Sequence, residues 1–251
     1  MYNCPERKLI NMPVKNLSNR QKTLRRKVLE LTYQANTCHL GSCLSVIDIL
    51  DAIYKVKSKD DKMVLSNGHA AAALYVVLEK NGYLKNPSIK RLHVHPDRNP
   101  KIGIDVSTGS LGQGLPIAVG MALAERNKRV YCVISDGECS EGSVWEALQI
   151  AIENNLSNLI IIVNANGWAG YDRVDLPKLV NKLKGFGYQP DIVNGHKTDQ
   201  LIKVFKIQLK DKPSLIFAKT SVEQLPFLNG QDAHYYIMKP DDYLFAMKLL
   251  K

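Results

Sequence analysis

Short apolar runs at residues 129–135 (RVYCVIS), 159–163 (LIIIV) and 214–218 (SLIFA) alternate along the chain with segments of helical periodicity, and this alternation is its strongest constraint on fold. Apolar strands of five to seven residues without polar alternation are buried on both faces, and intervening helices supply the crossovers that parallel strands need. The pattern predicts an α/β fold, a doubly wound and mostly parallel sheet with helices on both faces. Further helices are expected from Gly114 to about Glu125 and over 144–153, 176–183, 200–209 and 241–249, with a short strand over 189–193. Upstream, Ser18 is placed to cap a helix through 23–34, with Leu24, Val28 and Leu31 at helical spacing. Ser45 is placed to cap a second helix through Ile47, Leu50, Ile53 and Tyr54, and a third over 70–80 stops before Asn81 and Gly82. Residues 1–105 are expected to pack extra helices around the sheet. No repeat or Gly/Ser-rich linker divides the 251 residues, so 1–251 reads as a single domain.

A composition of 45% hydrophobic and 23% charged residues excludes a disordered or fibrous chain. No apolar run reaches the roughly 18 residues a membrane helix needs, and residues 1–8 lack the apolar core of a secretory signal. The five cysteines, Cys4, Cys38, Cys43, Cys132 and Cys139, are scattered without a Cys-x-x-Cys pair. That argues against zinc knuckles and disulfide frameworks and for a reducing, cytoplasmic setting. A formal charge of +10 raises nucleic acid as a partner, but the charge is dispersed except at Arg20, Lys22, Arg25, Arg26 and Lys27. That cluster lies on a predicted helix without interleaved aromatics and reads as a solvated face or an anionic small-molecule surface. Neither nucleic acid nor a membrane is an expected partner.

Ligands of a doubly wound sheet gather outside the carboxyl ends of its strands. Asp136 closes one predicted strand before the tight turn at Gly137, and Asn166, 30 positions on, closes the next. If the two strands are neighbours, a carboxylate, an amide oxygen and a nearby main-chain carbonyl form a hard oxygen set suited to Mg²⁺, or to Ca²⁺ or Mn²⁺ in its place. Mg²⁺ held by so few protein groups completes its octahedron with water and phosphate oxygens. The turn 109–114 and the helix start near Gly142 offer N–H groups for that anion. The implied ligand is a diphosphate.

Asp136-Gly137, followed by Asn164-Ala165-Asn166, resembles the thiamine-diphosphate motif. The runs SNGHA (66–70), TGSLGQG (108–114) and DGECSEGSVWEA (136–147), with HLG (39–41) and HPD (95–97), are similar to transketolase sequences in order and spacing over roughly 20–240. The chain resembles the N-terminal, diphosphate-binding half of a transketolase encoded as a separate subunit. The resemblance implies that Asp136, Asn166 and the main-chain carbonyl of Trp168 hold Mg²⁺. It implies that His69, Gly109, Ser110, Leu111, Gly137 and Glu138 contribute to cofactor binding. His39, His95 and His234 match positions that in the family surround the reactive carbon and the sugar hydroxyls, where histidine can donate, accept and pass protons near neutral pH. Glu141 and Glu146 match buried-interface glutamates of the family or are solvated helix-face acids. Trp145, Val144 and Leu148 are packing residues.

The family's pyrimidine-binding domain has no room after residue 240. The resemblance therefore implies an obligate C-terminal partner subunit, the two forming a heterotetramer with active sites at shared interfaces. The implied activity is transfer of a two-carbon ketol unit from a ketose, phosphorylated or not, to an aldehyde. Two departures bear on specificity. Where the family has Ile-Asp-Gly after the second metal ligand, this chain has Trp168-Ala169-Gly170-Tyr171-Asp172. Where the family turns glycine-rich after Lys-Thr, this chain continues from Lys219-Thr220 into SVEQLPFL (221–228). A non-standard donor or acceptor, a deoxyxylulose-phosphate synthase-like reaction and a non-catalytic scaffold role stay open as alternatives. A zinc site at His93 and His95 has no third ligand at suitable spacing, and a nicotinamide reading lacks Gly-x-Gly-x-x-Gly after a strand.

Overall fold

The computed structural model describes residues 17–207 and 211–251. Cys4, the stretch 1–8 and the end of the helix expected over 200–209 lie outside the described residues. The chain runs α1 (Asn19–Ala35), α2 (Leu40–Val56), β1 (Lys62–Leu65), α3 (Ala71–Lys80), α4 (Ile89–Leu92), α5 (Gly114–Ala124), β2 (Val130–Ser135), α6 (Gly142–Glu153), β3 (Leu159–Ala165), α7 (Leu176–Gly185), β4 (Asp191–Asn194), α8 (Thr198–Phe205), β5 (Ser214–Lys219) and α9 (Pro240–Leu249).

Among the described residues five strands form one sheet in the order β1-β2-β3-β5-β4, with every pairing parallel. Alternate side chains leave opposite faces of a strand, and two separate cores follow. Met63, Leu65, Tyr131, Val133, Ile160, Ile162 and Ile216 face α1, α2, α3 and α8. Val64, Val130, Cys132, Ile134, Leu159, Ile161, Val163, Leu215 and Phe217 face α5, α6 and α7. β1, β2, β3 and β5 are covered on both faces, as their uninterrupted apolar runs require, while the edge strand β4 is largely exposed. Among the described residues no helix is long and apolar enough to cross a membrane.

Ser18 caps α1 in a reciprocal capping box with Gln21. Two upstream expectations need correction. Ser45 does not begin a helix: α2 starts at Leu40, behind His39 in the left-handed region (φ 67°), and is buried from Leu40 to Ile53. Ser45 instead donates to the Ser42 carbonyl at 2.9 Å and accepts from Asn164 Nδ2 at 2.9 Å. The N-terminal region also supplies an edge strand, β1, besides helices. Its four residues, between a charged run and the 66–68 turn, are too few to display a period.

The basic cluster is only partly a solvated face. Arg25 is 1% exposed and lies between α1 and α2, where its guanidinium bonds the equally buried Asp48 (Nη2–Oδ2 2.5 Å). Arg20 pairs with Asp51.

Candidate functional site

Because all five strands run the same way, their carboxyl ends share one edge, and the residues that leave β1, β2, β3 and β5 meet there. Ser135 of β2 is in register with Asn164 of β3. This brings Asp136 and Asn166 together, as the spacing required of neighbouring strands. Asp136 is 1% exposed; its Oδ1 accepts the Gly137 N–H at 3.0 Å and its Oδ2 the Gly167 N–H at 2.6 Å. Burial pushes this carboxyl up to about 7, opposed by main-chain N–H groups and by no cationic side chain. Asn166 Oδ1 accepts the Trp168 N–H at 2.9 Å. Gly137 is needed for close approach, since a Cβ there would lie 2.8 Å from Cβ and 2.9 Å from Cα of Ala169.

The loop 109–114 is set by buried side chains on the tips of β1 and β2. Glu138, fully buried, accepts from Gly112 N–H at 2.8 Å, from the Ser135 N–H at 3.3 Å and from the Ser66 hydroxyl. Ser66 Oγ in turn accepts the Gly114 N–H at 3.1 Å, and Thr108 Oγ1 donates to the Leu65 carbonyl at 2.6 Å. The Glu138 carboxylate thus shapes the loop from behind. Gly109 adopts φ 143°, and a Cβ on it would lie 2.6 Å from the His95 ring. Ser110 is exposed at the loop tip and Leu111 is half-buried beside it.

Beside this loop His39, His69 and His234 cluster, with ring centroids 5.0 Å (39–69), 6.1 Å (69–234) and 6.4 Å (39–234) apart. The His39 N–H donates to the His234 carbonyl at 2.8 Å, fixing the two positions to each other. Burial, then the neighbouring His234 and His95, lowers His39 to about 4. Burial, then His39, His234 and His95, lowers His69 to about 3, and burial lowers His234. In all three the surroundings favour the neutral imidazole. His39 Nδ1, His234 Nδ1, Thr37 Oγ1 and both amide atoms of Asn67 are buried without a hydrogen-bond partner. Orphaned polar atoms about the histidine cluster, and a buried carboxylate with no cationic partner among the described residues, are what a polar, cation-bearing ligand would satisfy. The residues fit a divalent ion with a diphosphate. Asn67 carries no signal of its own in the sequence beyond its place inside SNGHA. His93 points elsewhere and meets Asp97 at 3.7 Å, both exposed.

The first departing segment is joined to the turn that follows the second. Trp168 and Arg173 form an antiparallel bridge, with the Arg173 guanidinium 5.8 Å from the centre of the Trp168 ring. Gly170 O accepts from Gln231 Nε2 at 3.1 Å and from the Tyr235 hydroxyl, so the 167–173 hairpin is bonded to the turn that carries His234. An open cleft of about 580 Å³ beside Asn166 is walled by Gly167, Trp168, Arg173 and residues 174–177. Glu141 is half-buried and Glu146 exposed, while Val144 and Leu148 are buried and Trp145 packs on Phe186 at 4.8 Å.

The family model described as transketolase, thiamine diphosphate binding domain, matches residues 18–242. Human transketolase is 35% identical over 244 residues, covering 87% of this chain but 38% of that protein. The 6-deoxy-6-sulfo-D-fructose transketolase subunit SqwG of a Clostridium species is 32% identical, covering 82% of this chain and 84% of the relative. A subunit of the apulose-4-phosphate transketolase of Actinobacillus succinogenes is 30% identical, covering 96% of this chain and 98% of the relative. Among solved structures, transketolase from Campylobacter jejuni superposes with a TM-score of 0.78 at 25% identity, over 96% of this chain and 43% of that one. The chain spans about two fifths of the length of the full-length transketolases it matches.

Proposed function

The chain belongs to the transketolase family through its thiamine-diphosphate-binding domain, and on that premise we propose that it is the diphosphate-binding subunit of an enzyme transferring a two-carbon ketol unit from a ketose to an aldehyde. The observation that carries this reading is the buried Asp136 carboxylate, bonded only by main-chain N–H groups beside the Asn166 amide oxygen. Asp136, Asn166 and the Trp168 carbonyl would hold Mg²⁺, and His69, Gly137 and the backbone of Gly109, Ser110 and Leu111 would line the diphosphate. Glu138 acts behind them, by holding the loop. When bound, thiamine diphosphate supplies the nucleophilic carbon and electron sink that cleavage beside a carbonyl requires.

This chain's own contribution is orientation and proton handling. His39 and His234, neutral and with unpartnered buried Nδ1 atoms, can bond substrate hydroxyls without presenting a second positive charge. His95, against Gly109 at the open side, completes the set. The pyrimidine half of the cofactor site falls to a partner polypeptide, and we assign a heterotetramer acting in the cytoplasm. Two relatives of similar length carry names of ketoses with an anionic tail, which supports a substrate of that kind. The departures from the family pattern at 168–172 and 221–228 favour a non-standard donor or acceptor.

The test is co-purification of the partner, then assay of the pair with Mg²⁺ and thiamine diphosphate against phosphorylated and sulfonated ketoses and pyruvate. Ketol transfer by the pair and none by this chain alone is expected. Activity confined to pyruvate would replace the reading with a synthase, and full activity of the pair carrying Asp136→Ala would make this chain a scaffold.

A further inference from the structure

Outside the candidate site, Asp48 on α2 has no exposure at all and is bonded at both oxygens. Its Oδ1 accepts from Arg25 Nη1 (3.0 Å) and Gln21 Nε2 (3.1 Å). Its Oδ2 accepts from Arg25 Nη2 (2.5 Å) and bonds His196 Nδ1 (2.9 Å). On its far side His196 Nε2 accepts the Ser221 backbone N–H at 3.1 Å. An amide N–H can only donate, so Nε2 is unprotonated and the ring proton lies on Nδ1, facing Asp48. Arg25 Nε bonds Gln224 Oε1 at 2.9 Å, and Gln224 Nε2 donates to the carbonyls of Leu44 (2.7 Å) and Ser221 (2.8 Å).

This network grips the start of the segment that departs from the family pattern. The grip continues toward the site. Glu223 Oε1 accepts the Gly230 N–H at 2.9 Å, and Val222 and Ala233 both pack on Gly41, where a Cβ would lie 3.2 Å and 2.7 Å from theirs. The turn that follows carries His234, whose carbonyl takes the His39 N–H. A buried ion pair adds little net stability over apolar packing, and its best-attested use is to fix one arrangement among several.

We propose that His196, oriented by Asp48 and Arg25, is a positioning residue: by holding the Ser221 N–H it fixes the 221–234 segment and so the place of His234 against His39. The proposal rests on the functional reading only for what His234 does there. Its test reads position rather than turnover, so the two can fail separately.

His196→Phe fills the volume but neither donates nor accepts, whereas His196→Gln offers an N–H to Asp48 and an oxygen to Ser221. Nuclear magnetic resonance on the full chain would follow the His39 and His234 ring resonances and exchange of the Ser221 amide. The expected result is that His196→Phe shifts both rings and speeds Ser221 exchange at least about tenfold, while His196→Gln restores wild-type behaviour. Unchanged rings in His196→Phe, or equal disturbance by both variants, would overturn the proposal. If His196→Phe does not fold, the wild type decides alone: its ring nitrogens must report a protonated Nδ1 and a bare Nε2, and the reverse tautomer would overturn it.

Discussion

Gly167 donates its backbone N–H to Asp136 Oδ2 at 2.6 Å, so the turn that leaves β3 is bonded to the carboxylate that closes β2. The two strand tips are thereby held as one unit before any ligand arrives. Since Gly137 bonds the other oxygen, the carboxylate is aimed by backbone alone. In the role proposed for it, a carboxylate preset in this way would avoid an ordering cost on metal binding.

Burial pushes Asp136 up to about 7, and the metal binding proposed for it needs it ionised. Affinity of the assembled complex for Mg²⁺ with thiamine diphosphate should therefore fall about tenfold per pH unit below 7, with proton release on binding seen by calorimetry. The ligand-free chain should show the converse. An acid whose folded value is raised from 3.8 to about 7 favours folding only when protonated, so its share of stability is lost as pH rises through that window, by up to ~4 kcal/mol. Asp136→Asn should abolish cofactor uptake and gain stability relative to wild type between pH 4 and 8, measured by urea unfolding at several pH values.

The imidazoles act in the other direction. His69 falls to about 3 chiefly through burial, so between that value and 6.5 the unfolded chain binds a proton the folded chain excludes. Stability should rise with pH across this window, by at most ~1.4 kcal/mol per unit for this residue. His69→Asn should flatten that slope. Ring resonances of His39 and His69 should show no titration between pH 6 and 8, and an inflection there would contradict the neutral cluster.

How much of this was legible in the sequence depended on range. The tips of β2 and β3 were readable because an apolar run followed by Asp-Gly, or by Asn-Ala-Asn, is a local signal. The start of α2 was hidden because its cap is a left-handed backbone at His39 rather than a capping side chain, while Ser45 mimicked a cap. Arg25 read as a solvated charge because its partner Asp48 is 23 positions away on another helix and His196 is 171 away. The histidines at 39, 69, 95 and 234 could be identified only by resemblance, since nothing in their spacing brings them together.

That long-range pair gives a stability prediction. Burial alone would raise Asp48, but the Arg25 charge, with His196 and Arg25 hydrogen bonds, holds it at about 2. Its contribution is present above 3.8 and lost as pH falls through about 2. Arg25→Met leaves a buried carboxylate without its countercharge and should cost ~3–5 kcal/mol at pH 7, whereas Arg25→Met with Asp48→Leu should recover most of it. Urea midpoints of the three chains provide the check, and the gap between the single variant and wild type should narrow in acid.

The last prediction separates the site from the fold. A Cβ on Gly137 would come within 2.9 Å of Ala169 Cα, a backbone atom of the hairpin that follows β3, and so cannot be accommodated by a side-chain rotation. Gly137→Ala must push the 167–173 hairpin away from the β2 tip, and the bond that gives way is the one between Gly167 and Asp136. The β2–β3 ladder ends before this point, at Ser135 and Asn164, so the sheet is spared. The circular dichroism spectrum should match wild type, with a stability loss of about 1–3 kcal/mol from local overpacking. Cofactor affinity of the reconstituted complex should drop far more, at least about a hundredfold, because the proposed metal ligand and the turn proposed to face the anion move together. Enlarging position 170 is the control. A Cβ on Gly170 would meet only the far end of the Tyr235 side chain, at 3.2 Å, so Gly170→Ala should leave affinity within about threefold of wild type. Equal losses in the two variants would mean that the hairpin as a whole, rather than its bond to Asp136, governs binding.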